Sequence, residues 1–208
     1  KLLVDINSTV LNNEKEFSVI IINDSSTDKV EINHSNTENI KSIKLINMKE
    51  NKGHARCNAA GLKYIFENEE FDYIIPMDGD GEDRPEEIKK FIEFLKYDNS
   101  KPIVGERIKR SEGILFKSFY NIHKLITFMF TGQSIKFGNY TCLPKLTVEK
   151  MINEKATWSS FSGSLAKVEK NRSTIPSIRG SRYFGPSKMS FLNLIKHSLT
   201  ILAVFKST

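Results

Sequence analysis

Two hydrophobic periods alternate along the first half of this chain, and that alternation limits the folds open to it. Leu2, Leu3, Ile6 and Val10 recur at helical spacing. Phe17-Ser-Val-Ile-Ile-Ile-Asn23 is a continuous β-branched run and reads as a strand buried on both faces. Ile43-Lys-Leu-Ile-Asn47 is a second strand. Gly53 to Asn68 reads as a helix with Ala55, Ala59, Leu62, Ile65 and Phe66 on one face. A strand over Phe71 to Met77 follows, then a helix over Arg84 to Tyr97 with Ile88, Phe91, Ile92 and Leu95 inward, then a short strand at Pro102-Ile-Val-Gly105. Strands alternating with helices predict an α/β domain, its sheet covered by helices on both faces. Such a sheet ordinarily begins with a strand. This sequence begins in a helix, at Lys1 rather than at methionine, so a first strand is expected to be missing from it.

The 208 residues suffice for one substantial core. A net charge of +6 favours phosphates or an anionic membrane surface and does not by itself indicate nucleic acid. Cys57 and Cys142 form no framework and no C-x-x-C, which predicts reduced thiols in a cytoplasmic compartment. The four histidines lack zinc-site spacing.

Tyr73-Ile-Ile-Pro-Met-Asp78-Gly-Asp80-Gly-Glu82-Asp83-Arg84-Pro85-Glu86-Glu87 carries the most chemistry. Asp78 and Asp80 lie at i and i+2 of a strand end and project to one side. That spacing lets them share one hard cation, Mg²⁺ or Mn²⁺, with phosphate oxygens and water completing the shell. A solvated acidic turn before a proline-started helix would show the same residues.

Beyond Gly105 the texture changes. Leu115 to Phe130 and Met189 to Phe205 each carry a wide apolar stripe interrupted by Lys or His. Each reads either as a core helix or as a helix lying in a membrane interface with cations at its rim. No run of about 20 apolar residues long enough to span a bilayer occurs.

Several segments together resemble the inverting glycosyltransferases of family 2, which have a GT-A fold. Val19-Ile-Ile-Ile-Asn23-Asp24-Ser-Ser-Thr-Asp28 resembles that family's strand ending in Asp-Asp-Gly-Ser-Thr-Asp. Asn51-Lys-Gly53-His-Ala-Arg56-Cys-Asn58-Ala-Ala-Gly61 resembles its glycine-containing helix start, and the Asp78-Gly-Asp80 run resembles its Asp-Ala-Asp-Leu-Gln segment. Ile103-Val-Gly105-Glu-Arg107 and Arg182-Tyr-Phe-Gly185-Pro-Ser187-Lys188 resemble the Val-Gly-Ser-Arg and Arg-x-x-Gly-x-Ser-Lys of the polyprenyl-phosphate sugar transferases. Those are the dolichol-phosphate mannose synthases and undecaprenyl-phosphate glucosyltransferases. There are departures: Glu82 stands where relatives often have Gln, and Thr141 where they often have Arg.

The resemblance implies a Rossmann-like, mostly parallel GT-A sheet flanked by helices. The catalytic domain would cover 1–188, including an acceptor-side helix over 115–130, with a juxtamembrane helix over 189–208. Its implied activity is transfer of a sugar, with inversion, from a UDP- or GDP-sugar to a polyprenyl phosphate at the cytoplasmic face of the membrane. Asp80 and Asp78 would hold the metal, and Asp24, Asn51, Lys52, Arg56 and Asp78 the donor. Arg107, Arg182 and Lys188 would take the acceptor phosphate, and Arg182 joins Asp78 and Asp80 as a catalytic candidate. A phosphate acceptor is already anionic and needs cations more than it needs a general base. Lys109, Arg110 and Arg179 read equally well as unpartnered surface charges. Two rivals stay open: a family 2 enzyme acting on a saccharide hydroxyl, and a non-catalytic nucleotide-sugar-binding module on the membrane surface. A homo-oligomer also stays open.

Overall fold

Prolines and breaks in periodicity decide where each element stops. In a computed structural model describing residues 1–108, 135–185, 199–200 and 203–205, helix α1 is Leu2–Val10 and strands β1 and β2 are Ser18–Asn23 and Ser42–Asn47. Helix α2 is His54–Asn68 and strand β3 only Tyr73–Ile74. A 3₁₀ turn at Pro85–Glu87 runs into α3, Ile88–Leu95. Then come β4 (Ile103–Arg107), β5 (Phe137–Pro144), α4 (Lys145–Asn153), α5 (Phe161–Val168) and β6 (Ser173–Ser177).

β3 is shorter than the apolar run predicts because Pro76 lacks the N–H that a ladder needs. The chain continues past it without pairing and delivers Asp78 and Asp80 to a turn. Pro85 then starts the 3₁₀ turn, where a missing N–H costs nothing.

The strands form two sheets. β1 and β2 pair in parallel, and a four-stranded sheet has the order β3-β5-β4-β6. β5 inserts antiparallel to both β3 and β4, while β4 and β6 are parallel. Helices flank both the parallel pair and the mixed sheet. β1 departs from the expectation of burial on both faces: its apolar residues are half-buried. Among the described residues it pairs along one edge only. α2 covers it closely, since a Cβ on Gly61 would lie 3.0 Å from Ile22 Cγ1.

Burial is concentrated in three clusters. Leu62, Leu143, Val148, Met151 and Leu165 bring α2, β5, α4 and α5 together. Ile6, Val10, Ile88 and Ile92 pack α1 on α3. Phe91, Ile103, Tyr140 and Cys142 pack α3 on the four-stranded sheet. Burying one such side chain is worth about 1.5–3 kcal/mol.

The segment 115–130, Lys188 and most of 189–208 lie outside the described residues. What is described of the second apolar stripe divides. Leu199 is exposed, whereas Val204 is buried against α5 near Gly163, and Phe205 packs on the core. The end of that stripe therefore faces protein. Among the described residues no helix is long and apolar enough to cross a membrane.

Candidate active site

The site forms where the end of the β3 run meets the N-terminus of α2, the end of β4 and the segment after β6. Asp78 is held on two sides. His54 Nε2, in the first turn of α2, lies 2.9 Å from its Oδ1, and Asn139 Nδ2 on β5 donates to the same oxygen at 3.0 Å. Burial opposes the charge on Asp78, but the His54 and Asn139 hydrogen bonds overcome that, so its carboxyl titrates below the usual range. The His54 imidazole is pushed upward, chiefly by its hydrogen bond to Asp78. As imidazolium it donates to Asp78. Asn58, whose amide lies 3.0 Å from the same ring nitrogen, is then best oriented with its oxygen toward the ring.

Asp80 has other partners. Its Oδ1 accepts the Glu82 N–H at 2.9 Å, and its Oδ2 lies 3.1 Å from Arg182 NH2. Arg182 reaches Glu82 as well: its Nε is buried 3.3 Å from Glu82 Oε1 yet out of line for a hydrogen bond. Arg182 Nη2 instead donates to Glu82 Oε2 at 3.5 Å, and this bond, with Asp80, Glu82 and Asp78 nearby, raises the guanidinium pKa further. Arg179 also pairs with Glu82, so it is not the unpartnered surface charge that the sequence left open.

Asp83 is a site residue that sequence reasoning passed over. It is buried, and its Oδ2 accepts the backbone N–H of Asp78 at 2.9 Å. Burial and the neighbouring Asp78 charge push its carboxyl up to about 6. Arg107, at the end of β4, lies within electrostatic reach of Asp78 and Asp83 and against Gly138 of β5. The i and i+5 spacing of Asp78 and Asp83 gives no sign of this contact. It depends on the turn folding back.

The donor-side candidates are arranged around Asp24. Both of its oxygens are taken: Oδ1 accepts the Lys52 N–H and Oδ2 the Gly53 N–H, each at 2.8 Å. It fastens the end of β1 to the loop that starts α2. Asn51, Lys52 and Arg56 stand exposed on that loop and first turn, and Lys52 Nζ pairs with Glu50 at 2.6 Å. Asn23 serves the same junction: it donates to Asn47 at 2.8 Å and accepts the Ser26 N–H at 3.1 Å. Thr141 is fully buried in β5, its hydroxyl bonded to Asn139 O.

The model of glycosyl transferase family 2 matches residues 2–155. The chain belongs to this family. Its helix-flanked sheets are those of the GT-A fold. Among curated proteins, this family 2 chain is similar to the undecaprenyl-phosphate 4-deoxy-4-formamido-L-arabinose transferases of Salmonella paratyphi B, Salmonella newport and Salmonella heidelberg. It is 28% identical to each over 204 residues, which is 93% of this chain and 59% of the relative. The chain thus spans about three fifths of the length of the curated relatives it matches.

Divalent metals are common in family 2, and the donor chemistry here fits one. Asp78 and Asp80 are two carboxylates at one turn, the protein's usual share of a Mg²⁺ shell that substrate phosphates and water complete. Among the described residues no trio of His, Cys, Asp or Glu converges to cage a cation without such help. Arg182 already supplies a positive charge at Asp80.

Proposed function

We propose that this chain is the catalytic domain of an inverting glycosyltransferase that moves a sugar from a UDP- or GDP-sugar to a polyprenyl phosphate at the cytoplasmic face of the membrane. One observation carries the reading: carboxylates suited to a diphosphate's cation stand in the same cluster as Arg182 and Arg107, cations suited to a second phosphate. The similarity to undecaprenyl-phosphate 4-deoxy-4-formamido-L-arabinose transferases supports the acceptor class.

In this mechanism Asp24 holds the 51–53 loop, so that Asn51, Lys52 and Arg56 border the nucleotide. Asp78 and Asp80 would hold Mg²⁺ or Mn²⁺. When bound, that ion neutralises the diphosphate as negative charge builds on the leaving oxygen. Arg182, Arg107 and Lys188 bind the acceptor phosphate through charge-assisted hydrogen bonds and bring two anions together. An acceptor phosphate oxygen then forms its bond to C1 on the face opposite the diphosphate while the C1–diphosphate bond breaks, which inverts the anomeric centre. The acceptor oxygen carries no proton, so no general base is required. Asp83 does not serve as one: it is buried and engaged with the Asp78 N–H.

The acceptor's tail stays in the bilayer if Leu115–Phe130 and the first turns after Lys188 lie in the interface, with Val204 and Phe205 anchoring the far end to the core.

The test is incubation of the full-length protein with a panel of UDP- and GDP-sugars and undecaprenyl phosphate, with lipid-linked sugar read by mass spectrometry. Formation of the sugar phospholipid supports the reading. Transfer to a saccharide with none to the lipid phosphate, or no transfer at all, overturns it. Flotation with anionic vesicles tests the membrane face: Phe191→Glu with Ile195→Glu should weaken binding of the folded protein.

A further inference from the structure

Tyr183 connects three parts of the molecule that are distant in sequence. Its backbone N–H donates to Asp80 O at 2.8 Å, and three residues earlier the Gly180 N–H donates to Glu82 O at 2.8 Å. Residues 179–183 therefore cross the Asp80–Glu82 turn as a strap. The Tyr183 ring lies flat on that turn, 2.8 Å from where a Cβ on Gly81 would stand, so only glycine lets the two approach. Its hydroxyl reaches past the turn and donates to Asp5 Oδ2 on α1 at 2.8 Å, while Lys1 Nζ sits 4.5 Å over the ring. Between these anchors stands Arg182, in contact with Asp80 and Glu82.

We infer that Tyr183, through its bond to Asp5, positions Arg182: the tie to α1 holds the strap on the carboxylate turn and so sets where the guanidinium stands. The inference rests on the proposed function, in which Arg182 takes the acceptor phosphate.

The physical case has three parts. A phenol donating to a carboxylate makes a stronger bond than a neutral pair. Among the described residues the chain after Tyr183 adds little hold on the strap: Phe184, the next residue, is 87% exposed. A long, flexible arginine recognises phosphate well only when its backbone is held, because otherwise binding must order the chain as well as the side chain. Asp5 and Tyr183 touch neither substrate in this scheme. They are positioning residues.

Tyr183→Phe keeps the ring over Gly81 and deletes only the donor; Asp5→Ala removes the acceptor. In the full-length protein each should raise the KM for undecaprenyl phosphate about tenfold while kcat and the donor KM hold within about twofold. The double variant should be no worse than either single one, because both remove the same bond. Hydrogen exchange at the Gly180 and Tyr183 amides should speed up in each variant. An unchanged acceptor KM, or a double variant whose losses multiply, overturns the positioning role. If the wild type transfers nothing to polyprenyl phosphate, the proposed function falls instead. Exchange then decides the latch alone, and unchanged protection in both variants rejects it.

Discussion

His54 Nε2 stands 2.9 Å from Asp78 Oδ1, tying the first turn of α2 to the carboxylate delivered by the β3 run. The pair works in one pH window. His54 titrates above its ordinary value, so its contribution is fully present below about 6.5 and is lost as pH rises through the higher folded value. Asp78 titrates below its ordinary value, so its contribution is present above about 3.8 and is lost as pH falls through the lower folded value. The His54 side chain is 63% exposed, and solvent screening holds the pair to about 1 kcal/mol or less. Urea unfolding of wild type and His54→Ala should show the largest gap near pH 5.5 and a smaller one at pH 8.5. A gap that grows with pH would contradict the pairing.

Asp83→Asn should reverse part of this profile. Its buried carboxyl titrates near 6 in the fold against 3.8 unfolded. A carboxyl with a raised folded value stabilises below about 3.8 and loses that stability as pH rises through about 6. The wild type should therefore lose on the order of 2–3 kcal/mol relative to Asp83→Asn between pH 4 and 7. The asparagine oxygen can still accept the Asp78 N–H, so the comparison isolates the charge. Denaturant midpoints at the two pH values measure it; parallel profiles would show that Asp83 stays ionised throughout.

Gly81→Ala should destabilise the fold for two separable reasons. Gly81 has φ +90°, and an added Cβ would meet the Tyr183 ring at 2.8 Å. The backbone conformation alone costs an L-residue about 1–2 kcal/mol, and the clash adds to it. Calorimetry of Gly81→Ala alone and combined with Tyr183→Ala separates them: the second change should recover the clash and leave the backbone cost. No recovery would mean that the ring does not rest on the turn.

Asp80→Asn should reduce sugar transfer by about a hundredfold or more at limiting Mg²⁺ or Mn²⁺, equivalent to about 3 kcal/mol of transition-state stabilisation. It also removes one of the two carboxylate partners of Arg182, leaving Glu82. Initial rates against metal concentration, with circular dichroism as a check on folding, decide the matter. Activity within a few-fold of wild type would remove Asp80 from the metal site.

How much of this was legible beforehand differs between fold and site. α1, β1, β2, α2 and α3 follow the periods read from the sequence, with ends within a few residues, because each is a local pattern. β5 went unread: it is antiparallel between β3 and β4, and its partners are about 30 to 70 residues upstream. In the site, Asp78 and Asp80 were visible as an i, i+2 pair, but they stand in a turn beyond β3 and not at the strand end that the sequence suggested. Asp24 was visible as a residue but not in its use, since both oxygens hold the 52–53 amides. His54, Asn139 and Arg179 carried no signal, because nothing local marks a surface histidine, a strand asparagine or a loop arginine as the partner of a particular carboxylate.

Sequence alone determined the α/β alternation, the proline start of the helix after the acidic run, and the family motifs. All of these are encoded in neighbouring residues, through backbone sterics and hydrophobic period. Only the tertiary structure decided which charges meet. Arg182 reaches Glu82 across 100 residues, Tyr183 reaches Asp5 across 178, and Val204 turns into the core instead of outward. Such pairings depend on where packed elements place side chains of opposite charge after desolvation, and no local pattern along the chain specifies that.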